Sequence, residues 1–91
     1  MKLLAKVEDV FTIPGRGVAV IPAWLSDLKV RVGDPVQLRS PSGVAKDSQI
    51  VSVEFAKQLN GCRAAFMLSP DTLKEDAPPG TEIWLADVPT T

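Results

Sequence analysis

The side chains that could carry chemistry are few. Glu54, Cys62 and Arg63 together offer a carboxylate, a thiol and a guanidinium. In the mouth of a small barrel they could form the polar groups of a ligand-binding or enzymatic pocket. A thiol needs a neighbouring base or cation to become a nucleophile, and no base accompanies Cys62. The competing interpretation is structural, with Glu54 and Arg63 as a cross-strand ion pair.

The composition removes the most common catalytic and metal-binding arrangements. The chain contains no histidine and one cysteine. Imidazole acid–base chemistry, histidine metal ligation, an internal disulfide and a tetrahedral zinc site therefore cannot form within this chain. We expect a protein that is not an enzyme and that uses no metal and no cofactor.

The short apolar runs and the single cysteine favour a cytoplasmic protein, and the charge balance does not favour nucleic-acid binding. The 10 basic and 11 acidic residues leave a net charge of -1, whereas nucleic-acid binders usually carry a basic excess. The apolar run Leu3–Ala5 ends at Lys6, far short of the roughly 7–15 residues of a signal-peptide core. No stretch approaches the roughly 20 apolar residues that span a bilayer. We expect no membrane partner.

A glycine-flanked arginine is the first candidate for binding. Arg16 lies between Gly15 and Gly17, where a hairpin turn would present its guanidinium to a phosphate or to a partner's carboxylate. The alternative is that Arg16 folds back onto the barrel and pairs with Asp9 or Glu8.

The two tryptophans are further candidates. Trp24 could stack on a base or enter a protein partner, or it could plug one end of a barrel. Trp84 has the opposite parity from Ile83, so we expect it to face outward. With Met67 or Val88 it could form an apolar docking patch, and packing in the core is the alternative.

Apolar residues recur with a period of two, which predicts strands. Six such segments are separated by turn signals at the spacing typical of sandwiches and barrels. In so short a chain, closure into a barrel hides strand edges. We therefore predict an all-β, six-stranded barrel as a single domain over residues 1–91, with its core at about 3–88 and a frayed tail at 89–91.

Three local expectations accompany this fold. Odd-numbered residues from Leu3 to Ile13 should share the core face of the first strand, with Asp9 as the exception. A short strand over 28–32 should precede a bend, and residues 56–59 could close one helical turn.

Four segments carry a further pattern. Residues 7–17 read VEDVFTIPGRG, 29–38 read KVRVGDPVQL, 51–55 read VSVEF and 73–80 read LKEDAPPG. These segments resemble the second domain of translational GTPases, above all elongation factor Tu. Their counterparts there are I/V-E-D-V-F-x-I-x-G-R-G, K-V-G-D-x-V-x-L, V-x-x-V/I-E-x-F and K-E-D-x-x-x-G. The resemblance covers about residues 5–88.

The resemblance implies a Greek-key barrel in a stand-alone chain. In the family this barrel packs against a nucleotide-binding domain, and in elongation factor Tu it helps to hold the aminoacyl end of tRNA. Glu54 matches a family glutamate near that pocket. This chain has no G-x-x-x-x-G-K-[ST] loop, so we expect no GTP binding by it.

The predicted function is that of a non-enzymatic binding module. We expect a protein partner first, with tRNA or ribosomal RNA as the alternative. Binding would use the Gly15–Gly17 hairpin tip, the segment 22–25 and the strand edges. Two further alternatives stay open, namely the small-ligand or enzymatic barrel and a homo-oligomeric assembly protein.

Overall fold

The chain folds into six antiparallel strands that close into a barrel, which confirms the predicted all-β class. The computed structural model describes residues 1–25, 30–58 and 61–86, and it describes the side chains of all these except 55–58 and 61–63. The elements are β1 (Lys2–Ile13), β2 (Gly17–Trp24), β3 (Pro35–Arg39), β4 (Ala45–Gln58), β5 (Gly61–Leu68), a 3₁₀ turn (Lys74–Asp76) and β6 (Glu82–Leu85).

The strands follow the order β1-β2-β5-β4-β3-β6 around the barrel. β6 closes it, because Ile83 lies opposite Ala5 of β1 on one side and opposite Leu38 of β3 on the other. Strands β3, β4 and β5 are consecutive neighbours, and β2 lies beside β5. This is a Greek-key connection, as the resemblance implied.

The barrel interior is filled by apolar side chains from every strand. Phe66 is the largest fully buried residue, and β1 contributes both odd- and even-numbered residues. A packed interior of this kind leaves little room for a ligand inside the barrel. The core consists of Leu4, Ala5, Val7, Val10, Val18, Val20, Val36, Leu38, Ile50, Phe66, Leu68, Ala77 and Ile83.

Irregularities in β1 overturn the prediction of a single core parity along this strand. Its register against β2 shifts between Val7 and Asp9. An extra residue in one strand reverses the faces of all residues beyond it. Val10 is therefore buried in the core, whereas Phe11 and Ile13 are only partly buried. The shift also explains why Asp9 broke the apolar pattern.

Two other local predictions were wrong. The predicted strand over 28–32 does not include Val32, which lies in a turn and is 65% exposed. Residues 56–58 belong to β4, which pairs with β5 as far as Gln58 and Gly61, so no helical turn forms there. Residues 28 and 29 of the predicted short strand, residue 59 and the predicted tail at 89–91 lie outside the described residues.

Candidate functional site

The β1–β2 hairpin tip places Arg16 at one end of the barrel. Ile13 and Gly17 face each other where the strands end, and the amide of Arg16 donates to the carbonyl of Ile13 at 3.0 Å. Gly15 and Gly17 have φ values of 77° and 124°. Only glycine adopts such angles without strain, so the sequence around Arg16 fixes the turn.

The guanidinium of Arg16 forms an ion pair with the carboxylate of Glu54 in β4. Both side chains are partly exposed, and the hydroxyl of Ser52 donates to the same carboxylate oxygen at 3.5 Å. The predicted partners of Arg16 were therefore wrong. The carboxylate of Asp9 accepts a hydrogen bond from the amide of Val10 at 2.9 Å.

Beside this ion pair lies a depression on the outside of the barrel, which we call the outer pocket. It has a volume of about 110 Å³. It spans four neighbouring strands, because Ala19 of β2 lies opposite both Phe11 of β1 and Met67 of β5, while Glu54 of β4 lies opposite Ala65 of β5. The pocket is lined by Phe11, Ile13, Ala19, Glu54, Ala65, Phe66 and Met67.

The size and lining of the outer pocket limit what it can hold. Sites for drug-sized ligands have volumes of roughly 300–1,000 Å³, whereas a cavity of about 150 Å³ takes a single benzene ring. The outer pocket therefore suits one apolar group of a larger partner. At its rim, Arg16 offers further N–H donors and Glu54 offers carboxylate lone pairs.

Trp24 contacts Phe66, a core residue that also lines the outer pocket. Its ring contacts Phe66 edge to face, with centroids 5.3 Å apart and an interplanar angle of 79°. Trp24 is nevertheless 43% exposed, and the following Leu25 is 54% exposed. The contact with Phe66 agrees with the predicted plug, and a partner contact through the exposed part of the ring stays a prediction.

Trp84 lies elsewhere, on β6 between β1 and β3. The guanidinium of Arg39 sits 4.4 Å from its ring centroid, and its indole N–H donates to the carboxylate of Glu82 at 3.1 Å. Trp84 is only partly buried, as predicted for an outward-facing residue. The proposed patch with Met67 was wrong, because Met67 is buried beside the outer pocket. Val88 lies outside the described residues.

The predicted polar constellation of Glu54 with Cys62 and Arg63 stays a prediction, because two of its three side chains lie outside the described residues. Glu54 pairs with Arg16 and lies opposite Ala65. The backbones of Cys62 and Arg63 belong to β5, opposite Lys57 and Ala56, and their side chains are outside the description. Within the described ranges, no group of three or more acidic or cysteine side chains is placed to hold a metal ion.

The sequence indicated the turn at Gly15–Gly17 and Glu54 as separate candidates, which the structure joins through the ion pair of Arg16 with Glu54. The apolar walls beside this ion pair were missed. Phe11 and Ile13 were assigned to the core, and Ala19 and Ala65 were not singled out. The signal that could have found them is Asp9, a charged residue on an otherwise apolar parity.

Comparison with known proteins adds no assignment. No protein-family model, no curated protein and no solved structure matches this chain. Across the described part of the chain, no helix is long and apolar enough to span a membrane. The resemblance to the second domain of translational GTPases stays a prediction from the sequence.

Proposed function

We propose that this chain is a non-enzymatic binding module related to the second domain of translational GTPases, and that its outer pocket receives an apolar group of a macromolecular partner. The observation that supports this most is an apolar depression on the outer face of a barrel whose interior is already filled. A packed interior leaves the barrel mouth little room for a substrate.

A protein is the partner that the chemistry of the site favours. The lining is mostly apolar, and the ion pair of Arg16 with Glu54 at its rim is electrically neutral. Interfaces between proteins place one anchoring side chain in a pocket and surround it with polar groups. An aliphatic or aromatic side chain in the outer pocket, with polar neighbours beside Arg16 and Glu54, fits this arrangement.

An RNA end is the second candidate, and the position of Glu54 favours it. The resemblance matches Glu54 to a glutamate near the pocket for the aminoacyl end of tRNA, and Glu54 and Phe11 both line the outer pocket. An aromatic ring can stack on an unpaired base, and a carboxylate can accept from a ribose hydroxyl.

The test is affinity purification from the source cell with the wild type and a pocket-filling variant, Ala65→Leu. The added carbons should occupy the space that the partner needs. Ala45→Leu is the control, because Ala45 is an exposed alanine of β4 away from the pocket. We expect the captured partner to be lost from Ala65→Leu and kept by Ala45→Leu. Equal capture by both variants would contradict the proposal.

Salt distinguishes the two partner classes. The logarithm of the binding constant for single-stranded RNA falls linearly with the logarithm of the salt concentration, with a slope of about -0.7 per neutralised phosphate. A protein anchored in the apolar pocket should resist the same change. In an NMR titration, an RNA oligonucleotide that ends in the unpaired 3′ sequence of tRNA is added to the chain. Chemical-shift changes at Phe11, Ala65 and Met67 would favour the RNA candidate. No change there, with a protein captured at high salt, would favour the protein.

A further inference from the structure

Among the described residues, both edges of the long β4–β5 hairpin are only partly paired, and on the β5 side β2 pairs with Phe66 and Met67. β3 pairs with β4 only as far as Pro35 and Gln49. Gly33 and Asp34 then bond to the backbone of Ile50, at 2.7 and 3.0 Å. Beyond Ile50, the backbone of β4 continues to Gln58 and, among the described residues, pairs with β5 alone.

A tight turn is the reason why β3 stops there. The amide of Asp34 donates to the carbonyl of Arg31 at 3.1 Å, and the carboxylate of Asp34 accepts from the amide of Arg31 at 2.8 Å. The described pairing of this segment with β4 ends at the turn, where Gly33 and Asp34 bond to Ile50. An unpaired strand edge presents a row of N–H and C=O groups that another extended chain can match.

Exposed valines flank this edge. Val51 and Val53 of β4 are 44% and 39% exposed, and Val32, next to the turn that bonds to Ile50, is 65% exposed. Natural proteins usually protect a free edge with charged residues or proline. Residues 51–58 contain the charged Glu54 and Lys57, so the apolar part of this edge is confined to Val51 and Val53. Apolar side chains on an added strand would cover these valines.

The charge of Asp34 indicates which side chain the added strand should carry at one end. The carboxylate of Asp34 stands at the start of the free edge, and no described cation forms an ion pair with it. A lysine or arginine at the corresponding end of the added strand would complement it.

We propose that the edge of β4 over residues 51–58 is a second docking site, which binds an extended polypeptide segment with apolar residues at alternate positions and a basic residue beside Asp34. The segment adds a strand to β4 through backbone hydrogen bonds, in the position that β3 vacates at its turn. This site shares Glu54 with the lining of the outer pocket, but it uses the backbone edge of β4 that faces away from β5.

The test starts from a displayed library of random linear peptides, selected on the wild-type chain. We expect enriched peptides with alternating apolar residues and a lysine or arginine near one end. Val53→Lys and Val51→Lys should weaken their binding about tenfold, because each places a charge where an apolar contact forms. Val44→Lys is the matched control, since Val44 is 62% exposed in the β3–β4 turn. Circular dichroism checks that each variant is folded. If Val53→Lys is unfolded, the binding of the peptides to Val51→Lys tests the proposal.

Several results would overturn the proposal. One is that no peptide is enriched in the selection, and another is that the enriched peptides lack alternating apolar residues. A third is that the peptides bind Val51→Lys and Val53→Lys as tightly as the wild type. Peptides that lose affinity for Ala65→Leu instead would bind the outer pocket, which contradicts the edge site but supports the proposed function. Dimerisation of the wild type that Val53→Lys abolishes would show that the edge serves a second copy of the chain.

Discussion

The contact between Phe66 and Trp24 allows the most quantitative prediction. Phe66 is fully buried in the barrel core, and its ring meets Trp24 at a centroid distance of 5.3 Å. Phe66→Leu keeps the site apolar but removes the ring. We expect the free energy of unfolding to fall by about 1–2 kcal/mol, the cost of an imperfectly filled core site. For a domain of this size, that lowers Tm by roughly 4–8 °C per kcal/mol.

A double-mutant cycle separates the aromatic contact from simple burial. Phe66→Leu, Trp24→Leu and the double variant are unfolded in urea and followed by far-UV circular dichroism. An edge-to-face pair contributes about 0.5–1.5 kcal/mol beyond area burial, and the coupling energy should lie in that range. A change below about 0.5 kcal/mol for Phe66→Leu, as at a surface site, would refute the assigned core position. A coupling energy of zero would refute the ring contact.

Three further predictions concern the turns and the surface charges. Arg16→Ala should lower stability by less than about 1 kcal/mol, because its ion pair is solvent-exposed, and a larger loss in urea unfolding would contradict this. Gly15→Ala forces alanine to φ 77° and should cost about 1–2 kcal/mol. Gly80→Ala should lower the free energy of unfolding by more than Gly15→Ala, since at φ 92° the added carbon would also lie 3.3 Å from the ring of Pro41. Equal losses of stability in the two variants would contradict this prediction. A hydrogen bond from Ser69 lowers the pKa of Asp71 below its ordinary 3.8, so its contribution to stability is present above that pH and is lost as pH falls through the lower folded value. Ser69→Ala should raise this pKa in an NMR titration, and an unchanged pKa would contradict the assignment.

The fold class could be predicted from the sequence because alternation and turn signals are local. The β1–β2 hairpin followed from Pro14 to Gly17, and Ile83 and Trp84 of β6 take the faces that their parity indicated. In each case, neighbouring residues alone determine the conformation. Closure of the barrel was inferred from the short length of the chain and the need to hide edges.

The walls of the outer pocket could not be predicted, because they depend on a shift of register. Alternation assigned Phe11 and Ile13 to the core, but the irregularity between Val7 and Asp9 moves both to the outer surface. Such a shift depends on how β1 pairs with strands far along the chain. Asp9 indicated that the alternation was broken without showing where.

The partner of Arg16 was missed for a related reason. Sequence distance favoured Asp9 or Glu8, whereas Glu54 approaches through the order of strands around the barrel. Ion-pair partners in a Greek-key barrel depend on which distant strands become neighbours. That order was available only through the resemblance, which supplied no contact for Arg16.

The proposed binding at the outer surface requires that the sheet closes at β6, since a closed, filled barrel leaves only its outside for a partner. The direct measurement is a nuclear Overhauser spectrum of the isotope-labelled chain, read at the backbone of Ile83. We predict cross-strand contacts from Ile83 both to Ala5 and to Leu38. Contacts to only one of these two residues would mean an open sheet with a free interior face, and would contradict the account.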